Sequence, residues 1–546
     1  MIGKYPRAQL EYVVDGTMVR EQIWCGNTGG RAGTQFVGRT LELGPHPSSL
    51  ALLLTNTPGI HYSITGDDGA HNASVTRRDG RLILTFPSAE QIGISTVLLA
   101  AEKNIEVESP AAAEFFSNPS TRLWKESVPT MGTLSTDTTS PYVVDEIPLP
   151  NPNPWAQNVR ASGIDFFEDG RAAVVTFEGD VWILSGIDHG LQELIWQRYA
   201  SGLNEPQSVQ IREGQVFVFD KTGLMRLDDT NGDGEADFYA NFCNAFGQTA
   251  EMREFPMDCV VKPDGGFFLC KGGQVGTRHG SQNGTVIEVS PDGRTATTFA
   301  TGLRQGYLGL HPETGMLTGS DQQGHFMPST PVFWIREGGY YGFAESLAEP
   351  EKAPAITPPL CWVPHEVYQS GSGHTWITSD KFGPLNGALI SLAFSQSDAF
   401  RVYLDTEKEP AQAAVIQLKW PLDIPLLKAA INPIDGQLYT VGFQVWGSGS
   451  QRVSGMQRVR YNPDAHWTLP SKVRVTTKGL LLRFPFELQP DAATLARKSH
   501  TAELALTLQP IFADASSIRL HFFHCKLWLS SPFSTEFHFP FSPLPP

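Results

Sequence analysis

The chain has 546 residues, with 41 Lys plus Arg against 57 Asp plus Glu and a formal net charge of -16. That balance argues against a general nucleic-acid binder, which carries a basic patch or stripe, and 52 Gly with 40 Pro argue against a long helical bundle or coiled coil. With 40% hydrophobic and 10% aromatic residues a large core can form, which leaves a turn-rich, acidic, β-rich protein of several domains.

Residues 1–30 hold no apolar run of signal-peptide length. No stretch of about 18 apolar residues follows, so no spanning helix is expected. Over 1–125, short apolar runs such as SLALLLTNT and RLILTFPS alternate with turn signals such as RRDG, the pattern of an N-terminal β-rich domain. Residues 126–157 are rich in Ser, Thr and Pro and read as a linker or surface strap.

From 158 to 462 one pattern recurs: a polar turn with Gly, then a β-rich run. The copies turn at Gly170, Gly214, Gly265, Gly315, Gly387 and Gly436, with steps of 44, 51, 50, 72 and 49 residues. A period near 45–50 with several strands per unit predicts an all-β, six-bladed β-propeller; another all-β repeat array is the alternative. The long step carries an insertion within 345–380, expected at the binding face. Residues 463–546 read as an incomplete β-sandwich-like segment with an atypical tail after about 508. Six Cys (25, 243, 259, 270, 361 and 525) form no C-x-x-C and no C-x-x-C-H haem motif; buried free thiols are the commoner reading, a disulfide between blades the other.

Four places can carry chemistry. In LDDTNGDGEADFY, Asp229, Asn231, Asp233, Glu235 and Asp237 alternate around Gly234, as oxygen ligands do in a calcium loop, although Ala240 stands where an EF-hand needs Glu. The competing reading is an acidic hairpin capping its own backbone. In TGLRQGYLGLHPETGMLTGSDQQGHF, Arg304 follows a Gly-Leu turn, and Asp321, Gln322 and His325 follow a strand end, where side chains can reach a channel; ligand binding or ordered water would satisfy them. His365 and Lys381 flank the insertion, as general base and anion clamp or as a structural histidine and a solvated lysine. His279, in GTRHGSQNG, precedes a blade hairpin and can face the channel.

With these residues laid out, 151–461 resembles the exported propeller proteins of the Planctomycetes–Verrucomicrobia type, known as membrane-bound dehydrogenases or haem-binding proteins. The resemblance rests on NPWAQNVRASGIDFFEDGRAAVVTFEGDVWILSG, RYASGLNEP, RLDDTNGDGEADFY, PLCWVPHE and TSDKFGPLNG. Their propeller is similar to that of soluble quinoprotein glucose and sorbosone dehydrogenases. The resemblance implies pyrroloquinoline quinone (PQQ) as cofactor, held by Arg304, Gln305 and Lys381, with His279 or His365 as base; Asp321, Gln322 and His325, from their place at the strand end, are the expected substrate-binding residues. It also implies calcium, a c-type cytochrome as electron acceptor, and a periplasmic or extracellular place, so a missing leader is expected. GLRQGY departs from the family's G-x-R-N-P-x-G at Gln305 and Gly306. The expected function is oxidation of a sugar or alcohol hydroxyl; the alternative is a non-catalytic propeller binding carbohydrate or a protein.

Overall fold

Each glycine of the repeat turns the chain between the first and second strands of an antiparallel sheet. In the computed structural model these six glycines have φ between 69° and 86°, a left-handed backbone that costs a residue with a Cβ roughly 1–2 kcal/mol. The structure describes residues 7–27, 35–65, 72–101, 122–247, 253–273, 282–322, 329–407, 409–444, 447–476, 479–485, 528–529 and 536–539.

The six turns belong to six antiparallel sheets, five built from four consecutive strands, one of these carrying a fifth at its edge, and the last closed by a strand from earlier in the chain. Their first strands are Ala161–Phe166, Ser208–Arg212, Pro256–Val261, Tyr307–Leu310, Gly371–Trp376 and Lys428–Ile431. Each touches the next and the sixth touches the first, so they ring an axis. This all-β arrangement is a propeller, and the sheets are called blades 1 to 6 below. Second strands such as Ala172–Thr176 and Leu438–Phe443 are buried along their whole length, because each blade is covered by a neighbour on both sides.

Blade 6 takes three strands from the end of the repeat and its fourth, Tyr142–Ile147, from before it, pairing Tyr142 with Tyr461 through Ile147 with Met456. The stretch read as a linker is therefore part of the ring, and its Ser127–Thr130 adds the fifth strand to blade 1. Composition hid this, because the partners of these strands lie far along the chain. Tyr142 anchors the closing strand, with its ring 4.9–5.6 Å from those of Phe382, Trp420, Tyr461 and Trp467.

Residues 1–121 form a separate compact unit. A five-stranded and a three-stranded sheet share one core, in which Leu41, Val97, Leu82 and Leu84 are fully covered. Beyond the ring, the hairpin of Lys472–Thr476 and Gly479–Arg483 buries Val473 and Leu482 against Tyr403, Ala414 and Ile416 of blade 5.

Candidate functional site

Because the strands of a blade alternate in direction, the glycine turns lie on one face. The connections entering each first strand and leaving each second strand lie on the other. On that second face the axis opens into a small cavity. Phe255, Met257, Phe394 and Leu427 give it an apolar wall, and Gln207, Gln305, Gln322, Ser370, Ser372 and Tyr307 bring polar groups to it.

The turn Gly302–Gly306 enters blade 4 at this mouth, and Asp321, just past the second strand, holds it. Its Oδ2 accepts the Arg304 amide N–H at 2.7 Å, and its Oδ1 accepts those of Gln305 and Gln322, each at 2.7 Å. Asp321 is fully buried. Burial pushes its carboxyl up to about 6 against the pull of these amides and of Arg304. The Arg304 side chain donates to Gln322 Oε1 at 2.8 Å, and burial lowers the pKa of its guanidinium. Gln305 donates through Nε2 to the carbonyls of Arg253 and Gly273, at 3.0 and 2.8 Å. That fixes its amide and leaves Oε1 buried without a donor. Gly272 makes the room, since a Cβ there would stand 2.8 Å from this oxygen.

Arg304, Gln305, Asp321 and Gln322 thus come together, but Asp321 serves the backbone rather than substrate. Lys381 does not join them. It sits in the short 3-10 turn Asp380–Leu385, between the first and second strands of blade 5 and so on the glycine-turn face. Its Nζ donates to the Ile434 carbonyl at 2.6 Å, beside the turn of Gly436. His365 follows the fourth strand of blade 4 at the mouth face, outside the cavity wall. Its carbonyl accepts from Gln396 at 3.4 Å, and its Nε2 is buried without a partner. His279 and His325 lie outside the described residues.

The insertion leaves blade 4 on the glycine-turn face at Ile335 and climbs alongside the last strand of blade 3, with Tyr340 bridging Thr301 in parallel. Phe343 reaches Gly273 and Gly284 near the mouth.

The expected calcium loop is turned on itself. Asp229 accepts the amides of Gly232, Asp233 and Gly234; Asp237 takes Thr230 and Asn231; and Asp233 takes the Glu235 amide, while Asn231 Oδ1 takes that of Asp233. The Glu235 carboxylate points elsewhere, to the amides of Leu123 and Trp124. Among the described residues no three metal-ligating side chains converge. Alternate acidic positions supply ligands only when their oxygens face one point, and here they face backbone N–H groups.

Deeper on the axis, a second small cavity is lined by all six first strands. Asp258 of blade 3 and Lys428 of blade 6 form an ion pair across it. His374 of blade 5 borders it, with Nδ1 3.3 Å from the Thr318 hydroxyl, and burial drives its pKa down to about 3. A histidine kept neutral in the folded state and protonated when unfolded removes stability as pH falls from about 6.5 toward 3. His374→Asn should therefore flatten the acid limb of a urea-stability profile by about 1.4 kcal/mol per pH unit between pH 6 and 4. An unchanged slope would refute this.

No family model matches the sequence, and neither does any curated protein. Solved structures of similar fold include the soluble aldose sugar dehydrogenase of Escherichia coli in its apo form. It is 10% identical, with 56% of this chain and 96% of that one covered and a TM-score of 0.44. The PQQ-bound aldose sugar dehydrogenase of Streptomyces coelicolor is 12% identical over 58% and 98%, TM-score 0.41. A gluconolactonase of Xanthomonas campestris is 12% identical over 62% and 99%, TM-score 0.38. At these identities the likeness concerns the fold alone.

Proposed function

We propose that the propeller mouth is the site of an oxidoreductase that oxidises a sugar or alcohol hydroxyl, with PQQ held beside Arg304 and Gln305. The observation that carries this reading is the Gln305 amide, locked by two carbonyls with its oxygen buried and lacking a donor. Such an acceptor costs roughly 1–3 kcal/mol, which a ligand N–H or O–H relieves. Arg304 precedes it in the same turn and carries a charge suited to a carboxylate, and Phe255, Phe394 and Met257 offer an apolar wall for a ring. The unpaired Gln305 oxygen and the apolar wall are what support this reading.

When bound, that group supplies the two-electron oxidant for the hydroxyl carbon. Arg304 and Gln305 orient it, Gln322 holds the guanidinium in place, and the apolar wall excludes water. His279 is the base that the family resemblance assigns, with His365 the second candidate, and a c-type cytochrome outside the cytoplasm is the acceptor it assigns. Lys381 has no part in the clamp.

A second reading, a non-catalytic carbohydrate-binding propeller, is favoured by one observation: the described cavity wall carries no acid and no base. A dye-linked dehydrogenase assay over a sugar panel, with PQQ and calcium added and quinone binding followed by calorimetry, separates the two. Turnover with quinone binding supports the first. Sugar binding with neither supports the second. If the first holds, Arg304→Ala should lower kcat/KM by about 10- to 100-fold, the worth of a charged hydrogen bond, and an unchanged value would count against the clamp.

A further inference from the structure

The turn that carries Arg304 has a twin. In blade 2, Gly202-Leu203-Asn204-Glu205 enters the first strand as Gly302-Leu303-Arg304-Gln305 does in blade 4. The glycines share a left-handed backbone, φ 89° and 92°. The leucine amides donate to Gly179 and Gly284 carbonyls at 3.1 and 3.0 Å. In both, a buried aspartate at the end of the second strand takes the next amide: Asp220 accepts Asn204 N–H at 2.9 Å and Asp321 accepts Arg304 N–H at 2.7 Å.

The copies then diverge. The other oxygen of Asp220 turns forward, to the amides of Thr222 and Gly223. That of Asp321 takes Gln305 and Gln322. Asp321 therefore fixes the backbone of three mouth residues, two of which hold each other through their side chains.

We infer that Asp321 is the positioning residue of the mouth, a buried carboxylate that latches Arg304, Gln305 and Gln322 into one ligand clamp, while Asp220 performs only the half of that task that the two turns share. The inference about ligand rests on the function proposed above; the latch itself does not. An asparagine at 321 would put an amine where a carboxylate oxygen now accepts an N–H, so at least one of the three amides loses its partner. A lost hydrogen bond to a charged group corresponds to roughly a tenfold or larger change.

The test is hydrogen–deuterium exchange on the full chain, read by peptide. Asp321→Asn should speed exchange across 303–306 about tenfold or more while leaving 203–205 unchanged, and Asp220→Asn should do the reverse. Equal exchange across 303–306 in Asp321→Asn and wild type overturns the inference, as does a uniform rise throughout the propeller in both variants. Should Asp321→Asn fail to fold, wild-type protein decides: lowering the pH from 7.5 to 5, with intrinsic rates corrected, should loosen 303–306 but not 203–205. Arg304 and the Cys270 thiol are the titratable groups that face Asp321 among the described residues, and neither changes charge in that range. Binding of PQQ to Asp321→Asn, read by calorimetry, should weaken about tenfold, and unchanged affinity would remove the clamp from the inference. If wild type binds no PQQ, the proposed function fails and the exchange result still decides the latch.

Discussion

Asp145→Ala is expected to destabilise the propeller by about 3–5 kcal/mol, the cost of stranding a buried charge. Asp145 lies on the strand that closes the ring and is fully buried. Its Oδ2 accepts from Arg458 Nε at 2.9 Å and Arg460 Nε at 2.8 Å, and its Oδ1 accepts the Ser135 amide at 2.8 Å. Arg458 is 1% exposed and also donates to the carbonyls of Asp188 and His189. Removing the carboxylate leaves this buried guanidinium with only the longer pair to Asp435, 3.8 Å from its Nη1. Burial alone would raise the Asp145 pKa, but Arg460, the Ser135 amide and Arg458 outweigh it and hold it below the ordinary value. The stabilisation is thus present at neutral pH and lost as pH falls below the usual carboxylate range. The neighbouring Glu146 pairs with Arg452 at about 30% exposure on both sides, so Glu146→Gln should cost less than about 1 kcal/mol. Urea unfolding followed through the buried Trp182 and Trp196 measures both. Equal losses would show that the closing strand is held by its backbone pairing alone.

The contrast between neighbours explains which features a sequence reveals. Gly170 and its five counterparts were legible because each has to adopt φ > 0 at the same step of a repeated hairpin, and only glycine does so freely. Tyr142–Ile147 was not legible as a blade strand, because its register with Met456–Tyr461 is set by a partner about three hundred residues away. Arg304 could be picked out from its turn, and Gln305 from the resemblance. The role of Asp321 could not, because a buried carboxylate serving amides and an exposed one serving substrate are the same letter. Lys381 was grouped with Arg304 by resemblance alone. Counting strands would have separated them, since a residue between the first and second strands of a blade cannot share a face with one that precedes the first strand. Gln207, Ser370 and Phe394 carried no signal apart from preceding a first strand or following a second.

One axial feature did leave a trace, a lone charge inside each of two apolar strand runs, PMDCVV and LLKAAI. Asp258 and Lys428 come from opposite blades and meet across the axis, with side chains 4% and 9% exposed. They are not equivalent partners. Asp258 Oδ2 also accepts the Leu308 amide of blade 4 at 2.8 Å, and its Oδ1 accepts the Cys259 amide at 2.8 Å and the Ser208 hydroxyl of blade 2 at 3.4 Å, so with Lys428 it binds four blades together. Lys428 has Asp258 and the face of Tyr307, 4.7 Å from its Nζ, and burial lowers its pKa despite the carboxylate. Asp258→Ala should therefore be the costlier change, about 3–5 kcal/mol, because it strands the Leu308 amide as well as an ammonium, while the Cys259 amide keeps the Ser208 hydroxyl at 3.1 Å. Lys428→Met should cost less, about 1–3 kcal/mol, because the carboxylate keeps its amide donors and the methionine fills the space. Once the lysine is gone, Asp258→Ala no longer strands a charge, so the double variant should fall short of the sum of the singles by about 1–3 kcal/mol. Denaturant unfolding of all four proteins closes the cycle. Strict additivity would mean that the two charges do not hold the blades together, and the amide bonds of Asp258 would then account for the whole of its effect.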